Sequence, residues 1–323
     1  MNYRSVSQLN EDIRQLAQEL PSDIDVVAAI PRSGLLAAEL LCLRLDVPMT
    51  DINGLCEGTV YETGNRHDGS LALDDADTVL VIDDSVNSGT QMRETQQRLD
   101  EADLPFDIRY AAAYISAHGH EYVDYWSEVI EPPRVFEWNL MHHPILENAC
   151  VDIDGILCRD PTREENDDGE RYQEFLSRVE PRTIPNQKVG WLVTCRLEKY
   201  REETEAWLAK HGVEYDRLVM MDLPDKETRQ ELGNHAAYKT KVYESTGAEL
   251  FIESSERQAA KICDETSKAV FCYDTNEMMQ PGRLNYTYRK GSDYLSRLAE
   301  NPAGFTARAG KYVLTRGYHG LKR

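Results

Sequence analysis

Residues 78–90 read TVLVIDDSVNSGT, and this stretch decides the fold of the first half of the chain. The run TVLVI (78–82) predicts a short buried strand, and the residues after it predict a turn that opens a helix. Backbone N–H groups at such a turn bind phosphate. Asp83 and Asp84 can accept hydrogen bonds from two vicinal ribose hydroxyls. The stretch therefore indicates a ribose-phosphate site, and an acidic strand end with an ordinary helix cap is the alternative.

Strands and helices alternate on both sides of this stretch. Amphipathic spacing predicts a helix over 5–20, and strands are predicted at DVVAAI (25–30) and IRYAAAYI (108–115). Further helices are predicted from the PRSG turn to Leu45 and over 90–102. The polar stretch 54–70 is predicted to be a long loop. This alternation predicts an α/β fold with a doubly wound parallel sheet.

The pattern restarts near residue 147, which predicts a second doubly wound α/β domain. Its predicted strands are ACVDID (149–154), KVGWLVT (188–194), YDRLVMM (215–221), AELFIE (248–253) and KAVFCY (268–273). The predicted division is 1–147, 148–280 and a basic extension, 281–323.

Composition excludes several classes of protein. The 323 residues are 41% hydrophobic and 29% charged, which is a globular composition with room for two domains. No apolar run is long enough to cross a bilayer, the N-terminus lacks the apolar core of a signal peptide, and the seven cysteines contain no C-x-x-C pair. We therefore expect a reduced, cytoplasmic protein. The net charge of −21 argues against a nucleic-acid partner.

The first half resembles the type I phosphoribosyltransferases over roughly residues 20–140. The stretch VLVIDDSVNSGT (79–90) is similar to that family's loop for phosphoribosyl pyrophosphate (PRPP), and AIPRSG (29–34) is similar to its pyrophosphate loop. The resemblance implies Mg²⁺ with the donor and a mobile lid at 54–70, where Tyr61 and Arg66 are candidates to reach the diphosphate. The substrate-binding residues that it implies are Arg32, Ser33, Gly34, Ser85, Val86, Asn87, Ser88, Gly89 and Thr90.

The resemblance also implies a mechanism. The bond from ribose C1 to the diphosphate ionises toward an oxocarbenium-like centre, and the acceptor attacks the opposite face, so α-configured PRPP gives a β-ribofuranoside. Asp83 and Asp84 would be catalytic, holding the ribose and stabilising positive charge, with Asp84 as a candidate general base.

The second half carries VDIDGIL (151–157) at the end of an apolar run. In an extended strand, D-x-D places Asp152 and Asp154 on the same side. A calcium loop would need Glu at the twelfth position, which is Arg163. One carboxylate can attack a phosphoryl group while the other moves protons to and from the leaving oxygen.

This arrangement resembles the haloacid dehalogenase superfamily of phosphatases over about 148–275. The resemblance makes Asp152 the nucleophile and Asp154 the acid/base, and it assigns the phosphoryl-binding hydroxyl to Thr194. Lys239, or Lys241 close by, would offset charge. Asp152, Asp154 and Glu253 would bind Mg²⁺, although Glu253 and Ser254 depart from the usual acids. Only 39 residues separate the first two motifs, so 159–187 is predicted to form one helix and loops as a minimal cap over an open site.

The two chemistries together predict a sequence of reactions. Transfer followed by loss of the 5-phosphate would leave a plain β-ribofuranosyl group on a sugar hydroxyl, as in the PRPP-dependent ribofuranosyltransferase/phosphatases of polysaccharide assembly that the chain resembles. The alternatives are a nucleobase or nucleoside-like phosphoribosyltransferase with a nucleotidase domain, and a non-catalytic PRPP-sensing protein.

Residues 281–323 are basic, with nine Lys or Arg against Asp293 and Glu300, and five tyrosines lie among them. One interpretation is that this segment folds back on the acidic domains. The other is weak association with an anionic membrane surface that carries a lipid-linked glycan acceptor.

Overall fold

The computed structural model describes residues 1–61, 73–232 and 235–282. The chain divides into two compact units, Met1–His143 and a second that begins at Pro144. The predicted boundary at 147 lies a few residues later. The predicted lid candidate Arg66 and nearly all of the basic extension lie outside the described residues.

The first unit holds a five-stranded parallel sheet in the order β3-β2-β4-β5-β6, and β1 pairs with β7 in a separate two-stranded sheet. Its strands and helices are β1 (Asn2–Arg4), α1 (Val6–Glu19), β2 (Val26–Ala29), α2 (Gly34–Leu45), β3 (Met49–Asp51), α3 (Ile52–Glu57), β4 (Thr78–Val86), α4 (Thr90–Glu101), β5 (Asp107–Ile115), β6 (Tyr125–Val129) and β7 (Arg134–Phe136).

Helix α1 shows how the local sequence builds these elements. Ser5 caps the helix by accepting from the backbone N–H of Gln8, and the Gln8 side chain accepts in return from the Ser5 N–H. Leu9, Ile13 and Leu16 recur at helical spacing and are buried in the core against the sheet. The predicted helix over 5–20 is confirmed.

Two predictions for the first unit need correction. The predicted loop over 54–70 begins inside α3, because Asp51 caps the Gly54 N–H at 2.8 Å and Ile52 and Leu55 are buried. Strand β4 continues four residues past the predicted end at residue 82, since it stays in register with β5 as far as Val86. The turn is therefore shorter than predicted and covers 87–89.

The second unit holds a six-stranded sheet in the order β10-β9-β8-β11-β12-β13, which is parallel except for the edge strand β13. Its elements are β8 (Ala149–Val151), α5 (Glu170–Arg178), β9 (Val189–Leu197), α6 (Arg201–Lys210), β10 (Tyr215–Met221), α7 (Lys226–Leu232), α8 (His235–Ser245), β11 (Leu250–Glu253), α9 (Glu256–Thr266), β12 (Ala269–Cys272) and β13 (Glu277–Met279). The five predicted strands are present. The predicted segment 159–187 contains one α-helix, α5, as expected.

No helix within the described residues combines the length and apolar character that crossing a membrane requires.

Candidate active sites

In the first unit the chain reverses its direction of travel across the sheet between β2 and β4. The chain passes from β2 outward to β3 and then returns to β4 on the other side of β2. In parallel sheets the crevice at such a point, beyond the carboxyl ends of the strands, is where ligands bind. The segment 31–34 follows β2, and Asp83 and Asp84 lie in the carboxyl-terminal part of β4. The fold therefore brings the two predicted loops together.

Gly34 marks how closely these loops approach. A Cβ atom at this position would lie 3.0 Å from Asp83 Oδ1 and 3.0 Å from the Ile82 carbonyl oxygen. The peptide bond between Pro31 and Arg32, just before it, is cis. A side chain at residue 34 would push the two loops apart, which explains the glycine.

Asp84 is held by two donors that are distant in sequence. Ser33 Oγ donates to Asp84 Oδ1 at 2.8 Å, and Trp138 Nε1 donates to Asp84 Oδ2 at 2.7 Å. Asp84 is only 4% exposed. The Ser33 hydroxyl, predicted to face a diphosphate, is thus directed to the carboxylate in this structure.

Asp83 occupies a different environment from its neighbour. It is buried, and its Oδ1 accepts from the Asp84 backbone N–H at 2.8 Å. Burial, followed by the adjacent Asp84 charge, raises the pKa of Asp83 well above its usual value. The pair therefore combines one fixed carboxylate with one that is costly to ionise.

The turn after β4, where the sequence predicts phosphate binding, is closely constrained by its neighbours. Gly89 precedes α4 with φ of 73°, and a Cβ atom there would lie 2.2 Å from Tyr122, so both conformation and space require glycine. Ser88 Oγ and Thr90 Oγ1 lie 3.0 Å apart at the start of the helix. The Asn87 carbonyl accepts from Ser116 Oγ at 2.7 Å, which ties the turn to the residue after β5.

A row of three stacked aromatic side chains adjoins Asp84. Tyr114, Phe136 and Trp138 stack in order, with centroid distances of 5.3 Å and 4.9 Å between neighbours. The Tyr114 hydroxyl donates to Asp12 at 2.7 Å. All three residues of β7, including Phe136, are buried, and the Trp138–Asp84 hydrogen bond has no local sequence signal.

Tyr61, a predicted lid residue, is 43% exposed and donates through its hydroxyl to Asp51 at 2.8 Å. Its predicted contact with a diphosphate stays a prediction.

The first unit matches a known protein family over nearly its whole length. Residues 5–144 match the family model described as the phosphoribosyl transferase domain. Residues 5–144 are a type I phosphoribosyltransferase domain. Its sheet order, paired acids and glycine-bearing turn lie within the matched residues.

Solved structures similar to this chain include three phosphoribosyltransferases. The Helicobacter pylori xanthine-guanine-hypoxanthine enzyme is 15% identical, with 42% of this chain and 92% of that one covered and a TM-score of 0.34. The Pyrococcus horikoshii purine enzyme is 23% identical over 42% and 92% of the two chains, with a TM-score of 0.33. The Aeropyrum pernix orotate enzyme is 16% identical over 38% and 71%, with a TM-score of 0.27. No curated protein matches the chain.

In the second unit the chain also reverses its direction of travel across the sheet, and the crevice at this point lies between β8 and β11. Strand order β10-β9-β8-β11-β12 places β8, the first strand, next to β11. Asp152 follows β8, Glu253 ends β11, and Thr194 lies in β9 beside them. All three are buried in the carboxyl-terminal part of one sheet, and the roles that the resemblance assigns to them stay predictions.

Lys239 joins two of the predicted acids. Its Nζ donates to Asp152 Oδ2 and to Glu253 Oε2, each at 2.6 Å. Burial raises the pKa of Asp152 to about 7, against the opposing effect of the Lys239 charge. The two carboxylates keep Lys239 charged by raising its pKa despite burial. Lys241, the competing candidate, is exposed on the same helix, α8.

Arg196 pairs with Asp154 and was missed by sequence reasoning. The guanidinium is fully buried and donates two hydrogen bonds to the Asp154 carboxylate, from Nη2 to Oδ1 at 2.7 Å and from Nε to Oδ2 at 3.1 Å. The Arg196 backbone N–H also donates to Thr194 Oγ1 at 3.2 Å. An arginine inside the apolar strand KVGWLVTCRL was the available signal, because a buried charge needs a partner.

The predicted Mg²⁺ ligands suit that ion chemically, since all are carboxylates. In this structure every carboxylate oxygen already accepts from the protein: from Lys239 and Arg196, and from the backbone N–H groups of Ile153 and Ser255. Within residues 1–61, 73–232 and 235–282, no cluster of three or more His, Cys, Asp or Glu is arranged to hold a metal ion. The metal role of Asp152, Asp154 and Glu253 stays a prediction.

Proposed function

We propose that the chain transfers a 5-phosphoribosyl group from PRPP to an acceptor and then removes the 5-phosphate. The observation that carries the proposal is the meeting of Asp83 and Asp84 with the Arg32–Gly34 loop at one sheet edge, inside the matched domain. The second unit supports the second step through its buried cluster of Asp152, Lys239 and Glu253.

For transfer, the turn 87–89 and the start of α4 would hold the 5-phosphate, and the Arg32–Gly34 loop would hold the diphosphate. Asp83 and Asp84 would bind the ribose hydroxyls and stabilise the positive charge that develops at C1 as the C1–O bond breaks. The acceptor oxygen or nitrogen forms the new bond on the opposite face and loses its proton, with Asp84 the candidate base. Mg²⁺ would accompany the diphosphate and neutralise its charge as it leaves.

For phosphate removal, an Asp152 oxygen would attack phosphorus and break the bond to the ribose O5. Asp154 would pass a proton to that oxygen as it leaves. Water then attacks the aspartyl phosphate, gives its proton to Asp154, and releases phosphate and the free Asp152 carboxylate. Lys239 would offset the negative charge that accumulates during both steps.

The acceptor that best explains both steps is a sugar hydroxyl of a glycan. Removing the 5-phosphate from a nucleotide would undo a salvage reaction, whereas on a glycan it leaves a β-ribofuranosyl residue and makes addition irreversible. A nucleobase is the second candidate, and the flat Trp138 ring beside Asp84 favours it. If neither activity exists, the chain would be a PRPP-sensing protein.

The acceptor hypothesis is tested by incubating the protein with PRPP, Mg²⁺ and a panel of sugar acceptors and nucleobases, with products identified by mass spectrometry. A dephosphorylated ribosyl sugar supports the glycan acceptor, and a ribosylated base supports the alternative. If the acceptor is lipid-linked, the positive charge of residues 281–323 would favour weak, salt-sensitive binding to anionic vesicles. Deleting them should then weaken vesicle binding but not transfer to a soluble acceptor.

A further inference from the structure

Arg229, on α7, is a buried cation whose charge no described acid neutralises. It is 8% exposed. Its Nη1 donates to the Cys195 carbonyl at 3.0 Å, its Nη2 donates to Asn166 Oδ1 at 3.3 Å, and its Nε has no partner. Among the ion pairs of the described residues, none includes Arg229. The guanidinium is therefore withdrawn from water without an ion pair among the described residues, and its Nε–H has no partner.

Burying a cation in this way raises the free energy of the folded protein unless an opposite charge compensates it. A buried charge without an opposite charge loses its hydration and gains little in return. The guanidinium offers five N–H donors in a planar fork that matches the oxygens of a phosphate. The unpaired charge and the free Nε together fit an anionic ligand better than they fit a structural role.

The position of Arg229 links it to the candidate phosphatase centre. Cys195, which accepts from Arg229, directly follows Thr194 in β9. Burial raises the pKa of the Cys195 thiol to about 12, and the charges of Lys239, Asp152, Glu253 and Arg229 also act on this thiol. Burial, followed by the charges of Arg229 and Lys239, lowers the pKa of His235. Arg229 thus borders the Asp152 centre without contacting Asp152, Lys239 or Glu253 through a described hydrogen bond.

We propose that Arg229, with Asn166 beside it, binds a second phosphate group of the substrate while Asp152 acts on the first. The inference rests on the proposed phosphatase step and narrows its substrate class to compounds with two phosphate groups. A phosphoribosylated acceptor that carries a phosphate of its own would supply both.

The test uses the full chain and compares fructose 6-phosphate with fructose 1,6-bisphosphate. Calorimetry on the Asp152→Asn variant measures binding without turnover, with and without Arg229→Gln. We expect Arg229→Gln to weaken binding of the bisphosphate at least tenfold and of the monophosphate less than twofold. Arg217→Gln, at an exposed position on β10, is the control and should change neither.

An equal loss of binding affinity for both sugar phosphates, or no loss for either, would overturn the proposal. A third titration uses 6-phosphogluconate, in which a carboxylate takes the place of the second phosphate. Weaker binding of this compound, without weaker binding of the bisphosphate, would also overturn the proposal, because the group recognised would then be a carboxylate. If Arg229→Gln does not fold, Arg229→Lys retains the charge without the fork and should weaken only bisphosphate binding. Absence of phosphate release by the unmodified protein would count against the phosphatase step, whereas the binding measurements still decide the role of Arg229.

Discussion

The Trp138 indole donates a hydrogen bond of 2.7 Å to Asp84, a residue 54 positions earlier in the chain. Together with the Ser33 hydroxyl it engages both oxygens of the carboxylate. A carboxylate fixed at two points keeps its orientation before substrate arrives, so a ribose would meet a preorganised acceptor of hydrogen bonds.

Trp138→Phe should therefore slow transfer from PRPP. Phenylalanine keeps the stacking with Phe136 but removes the N–H donor, and a hydrogen bond to a charged group contributes about 1.5–3 kcal/mol, or roughly tenfold or more in rate. Steady-state kinetics with varied PRPP measures the change. Trp126→Phe, on β6, is the matched control, and an equal loss in both variants would show that Asp84 does not depend on the indole.

Asp83→Asn should change stability in a pH-dependent way. Burial and the Asp84 charge raise the pKa of Asp83, so the folded protein keeps this proton to higher pH than the unfolded chain. The protonated group's stabilising contribution is full below the unfolded pKa and is lost as pH rises through the folded pKa. The variant should therefore have the higher Tm at alkaline pH, and its advantage should shrink as the pH falls toward the unfolded pKa of about 4.

Thermal unfolding without PRPP measures this difference, with the exposed Asp75→Asn as control. A lower Tm for Asp83→Asn across the whole range would mean that the ionised carboxylate stabilises the fold.

Apolar runs were enough to predict most strands, because a strand buried on both faces needs apolar residues throughout. Strand β2, for example, is buried at all four positions and lies within the predicted 25–30. The start of α3 escaped prediction because it is short and depends on one cap, Asp51. Family motifs were enough to predict Asp152 and Lys239 as site residues. The Arg196–Asp154 pair was not predicted, because it joins positions 42 apart. Such contacts follow from how strands are ordered in the sheet, which local periodicity does not encode.

Arg196→Lys should impair phosphate release while transfer continues. Lysine keeps the charge but cannot donate the two parallel hydrogen bonds, so Asp154 would no longer be held in one orientation. We expect at least a tenfold slower release of phosphate from a 5-phosphoribosyl compound, measured by a phosphate assay. Arg201→Lys, on the neighbouring helix α6, should behave like the unmodified protein, and unchanged release by Arg196→Lys would remove Asp154 from the mechanism.

Lys239→Met should destabilise the second unit. It leaves Asp152 and Glu253 buried without their shared cation, and breaking a buried pair in this way costs about 3–5 kcal/mol. Urea unfolding measures the loss, which should be larger at alkaline pH, because burial raises the pKa of Asp152 to about 7 and its carboxylate is more fully ionised above that pH. Lys241→Met, two residues along the same helix, should cost little; similar losses in the two variants would contradict the buried-pair assignment.

Product masses test most directly whether one chain performs two successive reactions in two separate units. With PRPP and an accepted acceptor, the unmodified protein should yield a ribosyl product without phosphate. Asp152→Asn should yield the same product heavier by one phosphate, and the double variant Asp83→Asn/Asp84→Asn should yield neither. Loss of transfer in Asp152→Asn, or a product of the unmodified protein that keeps its 5-phosphate, would contradict this two-reaction scheme.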